Sequence, residues 1–497
     1  VLRRWRGPMA EVPRRFSSLT ALQARVPALE IAQGAVERYG MYRENEVAWQ
    51  GVSKEILETD VEASLDLHCL KILVRTLAGA ELTLASFWDK LTDMVAPLLK
   101  SASLEDLLEL TTLYAKLRCW HVAVFSQTLH VVRKEAAVHT MEHGPLTDML
   151  ATFSEAGRAN EQLNYSTAAL FNEIQDRLLE DAHEMEVDDL LRLLESMARF
   201  RAKAAILQHL GRIMHPHLVD APGDRIRRLC QAYGELGWRH DTIFKNVTAE
   251  ILNERVEAQR ARALGREILT VKYSTADIAF IAQALLTLKM HRGNTSWCRW
   301  EQNYEELVDI LVRGVEDGVN DLSAQALASA ALVLGRARRG DMELCTSMFD
   351  RMIEILKGET HVVLGVDPPQ YELARFLYGL SLMPPQEKKL DAQWLMGWLC
   401  NQVHTLVLSD LVLINRQLVR LQAYDTEYLK IMAEEFLVER VPQLSKTDIM
   451  EVSQTYNQAG LKDDDLGRHF FWALGKRFQS LQARDRMRSR VSYKRVG

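Results

Sequence analysis

The chain has 497 residues, of which 47% are apolar and 26% charged, and its formal net charge is −6. No apolar run approaches the 18 or more residues that a membrane-spanning helix needs, so the composition argues against an integral membrane protein. The six cysteines stand singly, with no CxxC pair, which argues against a zinc ribbon or a disulfide framework and favours buried thiols in a reducing compartment.

Charge is distributed unevenly along the chain. Residues 1–27 contain six Arg and one Glu, and residues 476–497 contain eight Lys or Arg and one Asp. Residues 28–475 therefore hold 47 bases and 65 acids, a balance of about −18. The body of the chain is acidic, and both ends are basic.

The first 27 residues form a basic segment that is similar to a mitochondrial targeting sequence. The stretch VLRRWRGPMAEVPRRFSSL is rich in Arg, contains Ser and has very little acid. Within it, Arg14-Arg15-Phe16-Ser17 resembles a presequence cleavage motif, with Arg two residues before Phe. We expect residues 1–27 to direct the protein to the mitochondrial matrix, and the alternative is an ordinary basic extension.

A helical pattern recurs along the rest of the chain. In DDLLRLLESMARF, at 188–200, apolar residues fall at i, i+3, i+4, i+7 and i+8 from Leu190, which lines one helix face. The separation between copies is roughly 35 to 53 residues, which is typical of helical repeat arrays. Similar segments begin at Asp66, Asp106, Asp148, Asp224, Asp277, Asp321, near Asp367, and at Asp410 and Asp448.

Each copy is followed by a turn and a second amphipathic run, as in KAAILQHLGRIM after Phe200. Such a hairpin cannot bury both apolar faces alone, so neighbouring hairpins must stack and share a continuous core. The pattern predicts an all-α fold, an α-solenoid of about ten stacked hairpins in residues 28–481. The residues expected in its core include Leu190, Leu194, Met197, Leu285, Leu332 and Tyr456.

The sequence contains few patterns that are typical of catalytic sites. His139-Thr140-Met141-Glu142-His143 spells the HxxEH motif of inverted zinc proteases, but Gly144-Pro145 follows and is expected to end any helix at once. His215-Pro216-His217 is expected to be a solvated turn. The chain has no phosphate-binding GxxxxGK[ST] loop and no GxSxG elbow. We therefore expect a protein that is not an enzyme and that needs no metal or cofactor.

Cationic residues recur in the turns after the first helices of the hairpins. Since equivalent turns stack on one edge of a solenoid, these side chains are expected to form a stripe that tracks a phosphate backbone. The alternative is that they only interact favourably with the helix dipole at each carboxyl end. The turn residues are Arg118, Arg158, Arg201, Lys203, Arg239, Lys289, Arg292, Arg338, Arg339, Lys388, Lys389 and Lys462.

One inter-repeat loop contains more cationic and aromatic residues than the others. KMHRGNTSWCRW, at 289–300, combines cations and His291 with two Trp and contains no acid. Arg292, Trp297, Arg299 and Trp300 are expected to stack unpaired bases and contact phosphates. An equally open alternative is that these side chains anchor a neighbouring protein.

The basic tail, residues 482–497, is too short and too polar to form a core of its own. Its bases include Arg486, Arg488 and Arg490. Arg-rich ends of this kind fold on contact with RNA in ribonucleoproteins, and the alternative is a solvated tail without a ligand.

The repeats resemble the heptatricopeptide and octotricopeptide repeats and the helical region of FAST-kinase-domain proteins. The resemblance covers roughly Asp66 to Leu481 and rests on a leucine-rich first helix that ends in a small residue and then Lys or Arg. Tetratricopeptide and ankyrin signatures are missing, and HEAT or armadillo-like arrays stay open as an alternative. FAST-kinase-domain proteins usually end in a nuclease-like domain, whereas here a basic tail follows the last repeat, which removes the expectation of cleavage activity.

That resemblance implies an organellar protein that acts on RNA. We expect a non-enzymatic RNA-binding or scaffolding subunit of a mitochondrial ribosome or of an RNA-processing or editing complex. Its partners would be mitochondrial rRNA, mRNA or guide-type RNA and other protein subunits. The alternative is a purely protein-binding scaffold in a large mitochondrial complex such as a respiratory assembly.

Overall fold

The protein is a helical tandem-repeat protein, and its all-α class is confirmed in a computed structural model. Helices account for nearly all the regular structure in the described residues. The structure describes residues 26–42, 45–59, 65–80, 82, 84–117, 119–134, 137–159, 161–200, 204–214, 216, 221–264, 271–292, 294–295, 298–358, 369–384, 390–403, 406, 408–461 and 465–495.

The chain divides into two compact units, Val1–His217 and Leu218–Gly497. The first unit contains ten helices in its described residues. They are α1 (Pro27–Tyr39), α2 (Glu46–Glu58), α3 (Leu67–Gly79), α4 (Ala85–Leu99), α5 (Leu104–Lys116), α6 (Val122–Lys134), α7 (His143–Ala159), α8 (Glu161–Asp181), α9 (Val187–Phe200) and α10 (Ala204–Met214).

The second unit continues the helical series. Its helices are α11 (Gly223–Leu236), α12 (Asp241–Ala263), α13 (Thr275–Thr287), α14 (Trp300–Gly318), α15 (Ala324–Ala337), α16 (Met342–Leu356), α17 (Pro369–Leu382), α18 (Gln393–Gln402), α19 (Leu408–Arg420), α20 (Thr426–Ile431), α21 (Val438–Arg440), α22 (Lys446–Gln458) and α23 (Asp465–Arg495). A π-helical turn, Met432–Leu437, joins α20 to α21. The two-residue strands β1 (Asn294–Thr295) and β2 (Cys298–Arg299) pair antiparallel.

Alternate helices pack against each other, as expected for stacked hairpins. In the first unit α1, α3, α5, α7 and α9 form one row, and α2, α4, α6, α8 and α10 form a second. In the second unit the first helices form the row α11, α13, α15, α17, α19 and α22. This arrangement confirms the solenoid-like packing, because each hairpin buries its apolar face against the next hairpin.

Serine N-caps account for the aspartate near the start of three first helices, α5, α13 and α22. In α13 the Ser274 hydroxyl accepts from the Asp277 N–H at 3.2 Å, and the Asp277 carboxylate accepts from the Ser274 N–H at 3.0 Å. Ser445 and Asp448 form the same capping box at the start of α22. The repeated aspartate therefore lies inside the first turn in these helices, and the serine three residues earlier is the cap.

Five of the six expected core residues are confirmed as buried. Leu190, Leu194, Met197, Leu285 and Tyr456 expose at most 2% of their surface. The expectation for Leu332 is wrong, because this residue is only half-buried. Leu332 lies seven residues after Gln325 and four before Arg336, on the one strip of α15 that faces solvent.

The first helices α15 and α17 approach each other closely through two glycines. A Cβ atom at Gly335 would collide with the carbonyl of Gly379, and one at Gly379 would collide with the backbone of Ala331 and Leu332. Only glycine lets two helix backbones come this near, and the alanine-rich face of α15 extends the contact.

The repeat array includes a hairpin that the sequence patterns did not identify. Helices α1 and α2 precede Asp66 and pack against α3 and α4. The apolar stripe of α1 consists largely of alanine, with Ala28, Ala32 and Ala35 buried, so it lacks the leucine pattern of the later copies.

Candidate nucleic-acid interface

The turns after several first helices share one backbone geometry. The Arg338 N–H donates to the Gly335 carbonyl at 3.2 Å, and the Arg339 N–H donates to the Leu334 carbonyl at 2.9 Å. Gly237 with Trp238 and Gln422 with Ala423 make the same pair of bonds. This is a Schellman-type helix end, which places one residue in the left-handed region.

Two of these left-handed positions carry cations. Arg338 has φ 53° and Lys289 has φ 56°. In the corresponding turns of other hairpins, this position is Gly237, with φ 65°, and Gly460, with φ 80°. Both cationic side chains are exposed, and neither forms an ion pair with a described residue. A non-glycine residue at positive φ costs stability, so these two positions hold a cation where glycine would fit more easily.

Two other turn cations are paired with acids. Arg239 Nε lies 2.5 Å from Asp241 Oδ1. Arg339 Nη2 lies 3.2 Å from Glu305 Oε2 and 3.6 Å from Asp309 Oδ1. All these groups are substantially exposed, and exposed ion pairs contribute little stability, so a phosphate could replace either carboxylate.

The remaining expected RNA contacts fall outside what the structure describes. Arg118, Arg201, Lys203, Lys388, Lys389 and Lys462 are outside the described residues. The backbone is described, but the side chains are not, at Arg158, Arg292, Arg299, Arg486, Arg488 and Arg490. Trp297 is also outside the described residues.

Trp300 does not lie on the surface of its loop. It is the first residue of α14 and exposes 1% of its surface. Met290, at the other end of the loop, is fully buried, so both ends of the loop join the core. The Trp300 ring is therefore not accessible to a base, in contrast to the expectation from the sequence, because the apolar contact of the helix start outweighs its cationic neighbours.

The HxxEH stretch does not form one continuous helix in this fold. Ala137–His139 form a 3-10 turn, and His143 opens α7. His143 Nε2 lies 3.1 Å from the Asp181 carboxylate. The expectation that Gly144-Pro145 ends a helix is wrong, because proline is favoured in the first turn of a helix, where its missing N–H has no partner to lose. The described residues contain no group of three metal-ligating side chains.

Many cations of the first-helix rows are used to join neighbouring hairpins. Lys71 of α3 lies 2.5 Å from Asp106 of α5, and the hydrogen bond from Lys71 holds the pKa of Asp106 below its usual value. Equivalent pairs link neighbouring first helices farther along, Arg192 to Asp148, Arg227 to Asp277 and Arg416 to Glu451. These bases are therefore poor candidates for ligand contacts.

Five cysteines are free thiols, Cys69, Cys119, Cys230, Cys345 and Cys400. Burial raises the pKa of the Cys119 thiol to about 12, and burial raises that of Cys345 to about 11. A thiol must lose its proton to act as a nucleophile or metal ligand, and burial disfavours that loss at these two positions.

The last helix, α23, presents an aromatic residue that the sequence patterns did not single out. Trp472 is 62% exposed, and Lys476 Nζ lies 3.7 Å from its ring centroid. Phe470 and Leu474 anchor the helix in the core, and Phe470 packs edge-on against Tyr456 of α22. The available signal was a tryptophan among bases on the polar side of the last amphipathic run.

No protein-family model and no curated protein matches the chain. Among solved structures, it is similar to one described as a circular tandem repeat protein with novel repeat topology and enhanced subunit contact surfaces. The sequence identity is 13% and the TM-score 0.16, over 95% of this chain and 97% of that chain. At this TM-score the likeness carries no argument, and the repeat architecture rests on the helix packing described above. Among the described residues, no helix is both long and apolar enough to cross a membrane.

Proposed function

We propose that the protein is a non-enzymatic subunit of a mitochondrial ribonucleoprotein that binds single-stranded RNA. Its RNA would be mitochondrial rRNA, mRNA or guide-type RNA, and its helical rows would hold other protein subunits. The proposal agrees with the resemblance of the repeats to those of organellar RNA-binding proteins.

The observation that carries the proposal is the basic carboxyl-terminal helix. α23 runs without a break from Asp465 to Arg495, which is about 45 Å at the rise of an α-helix. It contains nine bases against two acids, on a body whose balance is acidic. A polyanion would be repelled by much of the body and attracted to this helix, and phosphate neutralisation of this kind dominates RNA affinity.

The two left-handed cations give independent support. Arg338 and Lys289 keep a cation in a conformation that favours glycine, and strained backbone positions cluster at functional sites. They lie in equivalent turns of the second unit, where phosphates of a bound strand could be contacted one hairpin at a time.

The proposal is tested by charge reversal in α23. Changing Arg486, Arg488 and Arg490 to Glu should weaken binding of labelled oligouridine and flatten its salt dependence. Each lost phosphate contact should lower the slope of log affinity against log salt by about 0.7. Reversing three exposed lysines of the first unit, Lys54, Lys90 and Lys100, makes the same change in net charge and serves as the control.

Equal effects of the two triple variants would mean that only net charge matters and would contradict a site on α23. A wild-type protein that leaves oligouridine unbound at low salt would contradict RNA binding altogether.

The mitochondrial part of the proposal rests on residues 1–27, of which 1–25 lie outside the described residues. Fused ahead of a fluorescent reporter, this Arg-rich segment should carry the reporter into mitochondria. Replacing its six Arg with Gln should abolish import, because the targeting signal depends on positive charge. A cytosolic or nuclear signal from the unaltered fusion would contradict the assignment.

A protein-binding scaffold is the second candidate, and an acidic groove on α12 favours it. Glu250, Glu254 and Glu257 line this groove, and Lys272 at its edge lies 2.6 Å from Glu250. A basic peptide would complement these carboxylates. If partner proteins are lost when Glu254 and Glu257 are changed to Gln while RNA binding is unaffected, the scaffold role is separate from the RNA role.

A further inference from the structure

Trp472 is exposed, and the packing of α23 on the body depends on other side chains. Phe470 and Leu474, both 1% exposed, supply the apolar contact between α23 and the body. Trp472 lies on the other side of the helix, with 62% of its surface in solvent. A tryptophan is on average highly buried in folded proteins, so one left this open is a candidate for binding.

Its surroundings are cationic and open. Arg468 and Lys476 lie one turn before and one turn after Trp472, so the three residues follow one stripe of the helix. Gly475, three residues after Trp472, is exposed, and a Cβ added to it would meet nothing within 4 Å. Glycine is among the poorest helix formers, and at this position it adds no side chain to the open surface near the ring.

This combination fits an unpaired nucleotide. Every base has a flat aromatic face that stacks on an indole ring, and the phosphate next to it needs a cation. Lys476 Nζ lies over one face of the ring, 3.7 Å from its centroid, which leaves the opposite face for a base. From there the flexible lysine side chain can reach a phosphate at the edge of the ring. A paired base is stacked within its duplex and could not reach the ring.

We propose that Trp472 stacks on an unpaired base of single-stranded RNA and that Lys476 contacts the adjacent phosphate. The inference deepens the proposed function and rests on it. Residues downstream in the same helix, from Arg484 to Arg495, add six bases along the path of the strand.

A second exposed tryptophan provides a matched control. Trp394 of α18 is 37% exposed, stacks at 6.3 Å on Trp398 and has Lys357 Nζ 5.3 Å from its ring centroid. Carboxylates lie close to this lysine, however. Burial and then the charges of Glu354 and Asp391 raise the pKa of Asp350, which also interacts with Lys357. A negative field of this kind repels phosphate, so Trp394 should not bind RNA.

The test measures binding of a fluorescein-labelled oligouridine of about 12 nucleotides, a length within the usual range of single-strand sites. Trp472→Ala should weaken binding by about ten-fold, the loss expected for one base stack, without altering the salt dependence. Trp472→Phe should retain most of the affinity, because phenylalanine also stacks. Trp394→Ala should bind as the wild type does.

Lys476→Ala separates the phosphate contact from the stack. It should lower the slope of log affinity against log salt by about 0.7. Irradiation of an oligouridine that contains 5-iodouridine should link the RNA to the peptide around Trp472. Circular dichroism of each variant checks that the helices are intact.

Failure of the inference can be distinguished from failure of the proposed function. If the wild type binds the oligouridine and Trp472→Ala binds equally well, Trp472 is not a stacking residue, although the RNA-binding function stands. If the wild type does not bind at low salt, both are overturned. A duplex of the same length that is equally sensitive to Trp472→Ala would also overturn the stack, since its bases are paired.

Discussion

Arg338 and Lys289 each combine an exposed positive charge with a strained backbone conformation. Their turns resemble those of Gly237 and Gly460, because in all four the N–H of the left-handed residue donates to the carbonyl three residues before it. The cation adds charge at the edge of the array, and the side chain that carries it strains the backbone. The balance between these effects can be measured at one position.

Arg338→Gly should raise the free energy of unfolding by about 0.5–1 kcal/mol, because glycine adopts φ 53° without strain. If Arg338 contacts RNA as proposed, the same variant should bind oligouridine more weakly at low salt, since that phosphate contact is lost. Gln422→Gly is the matched control, because Gln422 has the same φ and no charge. Urea unfolding and RNA titration check the two effects, and a destabilised Arg338→Gly would contradict the strain.

The carboxylate of Asp66 caps α3. Its Oδ1 accepts from the Cys69 N–H at 2.7 Å, and this backbone bond is the main reason that its pKa is lowered. Asp66→Ala should lower the free energy of unfolding by about 1 kcal/mol, whereas Asp66→Asn should retain most of the cap.

The stability that this cap contributes should decrease in acid. Because the folded-state pKa lies below the ordinary value of 3.8, the contribution of the charged cap is fully present above that pH. It is lost as the pH falls through the folded pKa. The stability gap between wild type and Asp66→Ala should therefore narrow in acid, while the gap between Asp66→Asn and Asp66→Ala should not change.

At the scale of helices, a glycine matters for packing only where a neighbouring helix backbone lies against it. Gly379 of α17 lies against the backbone of α15, whereas Gly397 of α18 is exposed with nothing within 4 Å of an added Cβ. Both glycines lie in the interior of a helix, but their surroundings differ.

Gly379→Ala should lower the free energy of unfolding by about 1–3 kcal/mol, because the new methyl group forces α15 and α17 apart. Gly397→Ala should raise it by about 0.5–1 kcal/mol, because alanine is the better helix former and meets no obstacle. Thermal or urea unfolding of both variants gives the comparison. A shift in the same direction for both would show that the α15–α17 contact is not tight.

Apolar periodicity was enough to predict the helices and the core face of most of them. It identified the first helix of each leucine-rich copy because a stripe at i, i+3 and i+4 depends only on local spacing. It failed at Leu332, at Trp300 and at the Gly144-Pro145 start of α7, where the outcome depends on neighbours distant in sequence or on helix-end chemistry. Of the candidate RNA contacts, Arg338 and Lys289 lie exposed in equivalent turns, and the edge of cations stays a prediction. Trp472 stands among bases in the sequence, but its exposure depends on how α23 packs.

At the scale of the whole molecule, each of the two compact units has its own buried side chains. In the second unit Tyr273, Phe349 and Phe376 are among the fully buried aromatic residues. Residues 218–497 expressed alone should therefore be helical by circular dichroism and unfold cooperatively. A fragment without helical signal would show that its core depends on the rest of the chain.

The paired glycines of α15 and α17 limit how such an array can change its number of hairpins. Repeat arrays are expected to gain or lose members by recombination when every junction is interchangeable. Gly335 and Gly379 are fitted to each other, so excising the hairpin α15–α16 would set Gly379 against α13 and remove Gly335, the glycine that it is fitted to. Copy number is therefore constrained at this junction, and shuffling of hairpins should be tolerated only away from it.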